Sequence, residues 1–286
     1  MISNSSPFLW YRRERDEATK HTKSEKREIF FFRVVRDFRG HKMGMGMSTL
    51  FAYPEPAKFG RMLPKSKIYE YASTSTAVKN LFVRQVKQIV WQFKLAPETV
   101  NLKGTPSVPE IQIFSIALKG GELKTEALRC IDLAISFPII FELQFDGKVK
   151  SIAAFKRPSE ADAGKWVISE YFVSDWVKEL TTENTEINKQ NPSVPSVYSV
   201  VQRKPLPLVR DLGQLYEKIL DGLMPYPARL GEDLQTRVER MERIRLKQHE
   251  LERCEVRLRK EKQFNRKVAI NAELRELKQE LEGLIS

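Results

Sequence analysis

From Glu232 to Ser286 the chain has no proline and a single glycine, Gly283. Those two residue types disfavour helix interiors, so a stretch this long without them is compatible with uninterrupted helix. Ile270, Leu274, Leu277, Leu281 and Leu284 step by four, three, four and three residues, the spacing of a heptad seam of coiled-coil type. An earlier series, Met241, Ile244, Leu251 and Leu258, is also helix-compatible, but its register does not run on into the second. Between the two lies Arg259 to Asn271, where Gln263, Asn265 and Asn271 stand at positions that a plain helix gives to Glu, Lys or Ala. Asn competes for backbone hydrogen bonds and is a poor helix-interior residue. Asn271 before Ala272-Glu273 reads as an N-cap with an acid in the first turn. The expectation is two helices that meet near Gln263 to Asn271 as a hairpin or a kink. A single rod would span roughly 75 Å, and its seam would need a partner. The seam packs either on the first series of the same chain or on another chain, which would make an oligomer.

Charge adds a second constraint. The net charge is +12 and the pI about 9.6, which favours an anionic partner such as nucleic acid. From Arg237 to Lys267 the tail carries 12 Lys and Arg against 6 Glu. Arg257, Lys260, Lys262, Arg266 and Lys267 are candidates for phosphate contacts. The interspersed glutamates also permit a solvated face of i,i+4 pairs such as Glu239–Arg243 and Glu255–Arg259, and they favour a protein-contact helix with auxiliary phosphate contacts. Gln263, Phe264, Asn265, Asn271, Leu277 and Leu281 are the candidate partner contacts.

Upstream, residues 1–46 carry 11 Lys and Arg against 6 Asp and Glu and no sustained apolar period outside Ile29 to Val35. They read as an extension ahead of a start at Met47, or as a basic disordered arm. Residues 47–180 read as an α+β domain. Ala77 to Leu95 has the apolar face of a helix, with Thr76 as its cap, Pro97 as its stop, and Trp91 and Phe93 anchoring it on a sheet. Strands follow at Glu110 to Leu118, Pro138 to Phe145, Lys148 to Phe155 and Trp166 to Val173, with a short helix over Thr125 to Ile135. Asp146-Gly147 is a two-residue hairpin turn. This order predicts a mixed, mainly antiparallel sheet packed by helices rather than a doubly wound parallel sheet. Residues 181–231 read as a polar, proline-punctuated linker with a short strand at Val197 to Val201 and a packing helix at Leu212 to Leu223, and 232–286 as the helical tail.

No residue set declares a reaction. His21, His41 and His249 are scattered and Cys130 and Cys254 far apart, which gives no metal-ligand spacing and no disulfide framework. Gly-x-Ser-x-Gly, Walker and dinucleotide motifs do not occur, so no cofactor is expected. The longest apolar run, Ile135 to Phe145, is interrupted by Ser136, Pro138, Glu142 and Gln144, and the start of the chain lacks a signal-peptide pattern, so no membrane span and a cytoplasmic location are expected. A metal-dependent nuclease would need carboxylates such as Glu110, Glu142 or Glu170 to converge with Lys156. Lys156 and Arg157, adjacent at a strand end before Pro158, are either phosphate contacts or an ordinary charged strand end.

Several of these stretches resemble one bacterial domain family of unknown function. They are Lys260 to Asn271 with Glu273-Leu274-Arg275-Glu276-Leu277, Leu63-Pro64-Lys65-Ser66, Val86 to Leu95 with its Trp91, Ile131-Asp132 ahead of Pro138-Ile139-Ile140-Phe141, Lys156-Arg157, and Trp176. The resemblance covers Ser48 to Leu284. Members are commonly found in gene neighbourhoods encoding DNA methyltransferases, helicases and restriction enzymes. The resemblance therefore implies an association with restriction–modification or phage defence and no particular activity. The expectation is a non-catalytic accessory subunit that binds a DNA methyltransferase or helicase, with DNA as a second partner. A nuclease subunit and a general nucleic-acid-binding protein are the alternatives.

Overall fold

The computed structural model describes residues 50–72, 74–160, 162, 165–179 and 200–286. Residues 1–46 and most of the 181–231 linker's first half lie outside them. Thr49–Ser286 forms one compact unit. The class is mixed α+β, as its alternating and helical periods predict, with a mainly antiparallel sheet and two C-terminal helices.

Among the described residues the strands are β1 (Phe51–Ala52), β2 (Lys58–Met62), β3 (Val86–Leu95), β4 (Ile111–Leu118), β5 (Ile139–Phe145), β6 (Lys148–Pro158), β7 (Trp166–Val173), β8 (Val177–Glu179), β9 (Val200–Val201) and β10 (Lys204–Pro205). The helices are α1 (Lys65–Tyr71), α2 (Thr76–Gln85), α3 (Pro97–Val100), α4 (Thr125–Ala134), α5 (Leu212–Asp221), α6 (Leu234–Lys260) and α7 (Phe264–Ile285). The main sheet runs β2-β3-β4-β5-β6-β8-β9, and β7 and β8 lie along the same strand, β6. Its parallel pairs are β4–β5, bridged by α4, and β8–β9. A separate small pair joins β1 to β10. Asp146 and Gly147 both take positive φ, 51° and 66°, as the hairpin between β5 and β6 requires.

β4 and β5 are buried on both faces, so two helical layers are needed. One face carries Trp91, Phe114, Ile116, Phe141 and Ile152 and is covered by α1, α2 and α4 through Ile68, Phe82, Leu128 and Ile131. The other carries Ile113, Ile140 and Ala153 and is covered by α5, α6 and α7 through Leu215, Tyr216, Met241, Ile244 and Leu281. The tail helices thus share a core with the sheet.

The helix expected over Ala77 to Leu95 divides instead. Ser75, rather than Thr76, caps α2, and the chain extends at Val86 into β3. Trp91 and Phe93 are therefore strand residues. Register shifts between Val86 and Gln88 and between Trp91 and Phe93 give β3 two bulges, each inserting a residue. The bulges turn the two-residue strand period into the three-residue spacing of Val86 and Ile89, which imitates a helix.

The tail is a hairpin, with α6 and α7 separated by Glu261-Lys262-Gln263. The Glu261 carboxylate accepts the backbone N–H groups of Lys262 (2.8 Å) and Gln263 (2.9 Å), which fixes the turn without glycine or proline. Asn271 is exposed inside α7 and caps nothing, because the helix already begins at Phe264. The seam packs within the chain: Leu281 is 2% exposed in the same cluster as Met241 and Ile244, with Leu251 and Leu284 against it.

Two buried arginines pin the hairpin's base. Arg240 grips both oxygens of Glu232 (2.6 and 2.7 Å) and donates to the carbonyls of Pro227 (2.8 Å) and Leu284 (3.3 Å). Arg237 joins Asp221 to the Tyr226 carbonyl. Hydrogen bonding from Arg240 holds the Glu232 carboxyl well below its usual range, at about 2. The folded pKa is depressed, so this contribution is present above the unfolded value of about 4.5 and is lost as pH falls through it towards 2. Urea unfolding of wild type and Glu232→Gln should therefore show a stability gap near neutrality that narrows by about pH 3.

Leu281→Asp would place a charge in the core shared with β4 and β5. We expect a loss of at least about 3 kcal/mol and a single transition in which sheet and helix signals are lost together, measured by near- and far-UV circular dichroism in urea.

Candidate nucleic-acid interface

Leu251 is the last α6 residue packed against the central core, and Lys260 lies nine positions further along, roughly 14 Å of helix at 1.5 Å per residue. Over this distal portion the two helices pack on each other. Cys254 is buried there, and its Sγ lies 3.6 Å from the Ile270 carbonyl. The apex beyond it gathers Arg257, Arg259, Lys260, Lys262, Arg266 and Lys267, with Glu261 as the only acid between Arg257 and Lys267.

Arg257 is paired with Glu273, and Arg259 lies 3.8 Å from Glu255. Lys260, Lys262, Arg266 and Lys267 are exposed, and among the described residues none of them forms an ion pair. Phe264 is 77% exposed and Val268, one turn on, is 55% exposed. Gln263 and Asn265 are exposed beside them. A shallow groove between the helices is lined by Ala269 and Ile270, by Arg257, Lys260 and Arg266, and by the acids Glu261 and Glu273.

Local helix energetics account for only half of this charge. Arg257, Arg259 and Lys260 sit in the last turn of α6, where cations complement the negative end of the helix. Arg266 and Lys267 sit in the first turn of α7, which has no acid, and there the same dipole disfavours them. Glu261 offsets them in part, its carboxyl held below its usual range by the N–H groups of Gln263 and Lys262 and by Arg266 and Lys267.

The remaining residues named from the sequence are elsewhere. Arg157 is at the end of β6, paired with Glu160 at 3.1 Å. Leu277 is half-buried and Leu281 fully buried in this chain's own packing, so Leu281 is not available to a partner. Lys156 is 1% exposed and out of reach of a phosphate. Its ammonium donates to the carbonyls of Asp132 (2.5 Å) and Ile135, at the C-terminal end of α4, and lies 3.5 Å from the Asp132 carboxylate. The helix has no basic residue of its own in its last turn, and Lys156 supplies one from the sheet. Tyr171 donates to the other Asp132 oxygen. Tyr216 accepts the Lys156 N–H at 3.1 Å and donates to the Ala154 carbonyl at 2.5 Å. Burial pushes Lys156 down to about 8, against the pull of Asp132, and pushes the Asp132 carboxyl and both tyrosines up. Sequence reasoning did not find this cluster. Its signal was Asp132, a carboxylate next to the apolar stripe of α4.

The carboxylates that a nuclease would need do not converge with Lys156. Glu142 is gripped by Arg203 at 2.9 and 2.7 Å on the face that carries Ile140, whereas Lys156 meets α4 on the opposite face. Glu110 pairs with Lys94 at 3.2 Å and Glu170 with Arg245 at 3.0 Å. Among the described residues no group of three or more His, Cys, Asp or Glu could hold a metal ion, and no helix is long and apolar enough to cross a membrane.

Fold and apex together define a mixed α+β protein that carries a basic helical hairpin. The chain belongs to the DUF4391 family, a domain of unknown function, whose model matches residues 51–281. No curated protein and no solved structure matches it.

Removing the Lys156 ammonium would leave the Asp132 carboxylate and two helix-end carbonyls buried without their cation. Lys156→Met should cost about 3–5 kcal/mol in urea unfolding, whereas Arg157→Met should cost under about 1 kcal/mol.

Proposed function

We propose that this protein is a non-catalytic accessory subunit of a restriction–modification or phage-defence system. It attaches to a DNA methyltransferase or helicase and contacts DNA through the free end of the α6–α7 hairpin. The observation that carries the DNA contact is the set of four exposed apex cations, Lys260, Lys262, Arg266 and Lys267, that form no ion pair among the described residues. Two of them stand where the helix dipole disfavours a cation, so helix stability does not account for them. A phosphate backbone supplies the missing anions and releases counterions on binding. The system and the enzyme partner are supported by the family resemblance alone. The nuclease alternative has no observation in its favour, since its four groups are engaged separately.

At low ionic strength the protein should retain labelled duplex DNA, with affinity falling steeply as salt rises. Reversal of Lys260, Lys262, Arg266 and Lys267 to Glu should abolish retention and flatten the salt dependence while leaving the unfolding midpoint nearly unchanged, because all four are exposed. Absence of salt-dependent retention of both duplex and single-stranded DNA by the wild type would remove DNA from the reading. Co-purification from the native host, with mass spectrometry of what accompanies the protein, tests the enzyme partner.

A further inference from the structure

Phe264 is the feature of the apex that phosphate neutralisation leaves unexplained. It is 77% exposed in the first turn of α7, and Val268, at i+4, continues the same face. Lys262 precedes it by two positions, and Arg266 and Lys267 follow by two and three. A protein pocket for this ring would need an acidic rim to match those cations. A nucleic acid strand presents both requirements in one repeating unit, a flat base between two phosphates. In a duplex the base faces are occupied by their neighbours, so the ring reaches one only where bases are unpaired.

We propose that the hairpin apex binds unpaired nucleic acid, with Phe264 stacked on an exposed base and Lys260, Lys262, Arg266 and Lys267 on the flanking phosphates. The site thus prefers single strands, frayed ends or junctions to duplex, which it holds through the phosphate contacts alone. Sequence-tolerant recognition follows, because every base has a π face. Gln263 and Asn265, exposed beside the ring, are placed to meet the edges of the stacked base. This inference rests on the reading of the apex as a DNA contact and specifies which form of nucleic acid it takes.

The full-length protein is titrated with a fluorescein-labelled oligothymidylate and with a labelled duplex of equal length, in one low-salt buffer. We expect tighter binding of the single strand. Phe264→Ala should weaken single-strand binding by about 5- to 100-fold while changing duplex binding by less than about twofold. Phe264→Trp should retain affinity, and its added emission, read against wild type, should be quenched on binding as an indole stacks on a base. Equal affinity for the two forms, equal loss of both in Phe264→Ala, or no quenching would overturn the stacking while leaving the DNA contact standing. Retention of neither form overturns both. Preferential binding to anionic phosphatidylserine vesicles, with no single-strand preference, would also overturn it in favour of membrane insertion.

Discussion

The burial of β4 and β5 on both faces is the constraint from which the rest of the molecule follows. Ile113 and Ile140 look one way, Phe114 and Phe141 the other, and neither face can be left in water. The chain covers the first with residues far downstream, in α5, α6 and α7, and the second with α1, α2 and α4, which flank the strands in sequence. Covering the first face requires only the proximal half of the C-terminal hairpin. The rest of that hairpin is free of any duty to the core, and that freedom makes its apex available for contact.

The positive charge divides along the same line. Lys65 donates to the carbonyls of Phe82 and Val86 and Lys119 to that of Val83, at the end of α2. Lys156 does the same for α4, and Arg237 and Arg240 gather loop carbonyls beneath the hairpin. The three lysines satisfy carbonyls that the helix ends leave without partners, and the two arginines satisfy carbonyls of the loop before α6. The net charge of the chain is therefore a poor guide to its binding surface. Among the described residues the apex cations Lys260, Lys262, Arg266 and Lys267 form no ion pair, and the proposed contact rests on them.

Much of the sheet was legible because its strands obey simple rules. β4, β5 and β7 are bounded by breakers, and Asp146-Gly147 could serve only as a turn between β5 and β6. β3 was not legible, since its two bulges replace the strand period with a spacing that belongs to helices. Lys156 and Arg157 looked alike at the end of β6, but alternation along the strand sends one inward beneath α4 and the other out to Glu160. The apex cations and Phe264 were recognisable as an unusual run. The position of the turn among them was not, because a glutamate side chain rather than glycine or proline makes it, and because an exposed Asn271 costs a helix only a fraction of a kcal/mol, about 0.5.

The hairpin is closed at its base by bonds that span long stretches of chain. Arg240 holds the Leu284 carbonyl and Arg229 that of Gly283, both near the C-terminus. These bonds lie at the end of the hairpin away from the turn, so local opening is expected to start at the turn, with amide protection rising towards the sheet. The element behaves as a cantilever, with its clamp in the core and its compliant end at Phe264. The proposed contact would lie at a distance from the sheet, where binding or release need not disturb the packing that keeps the protein folded.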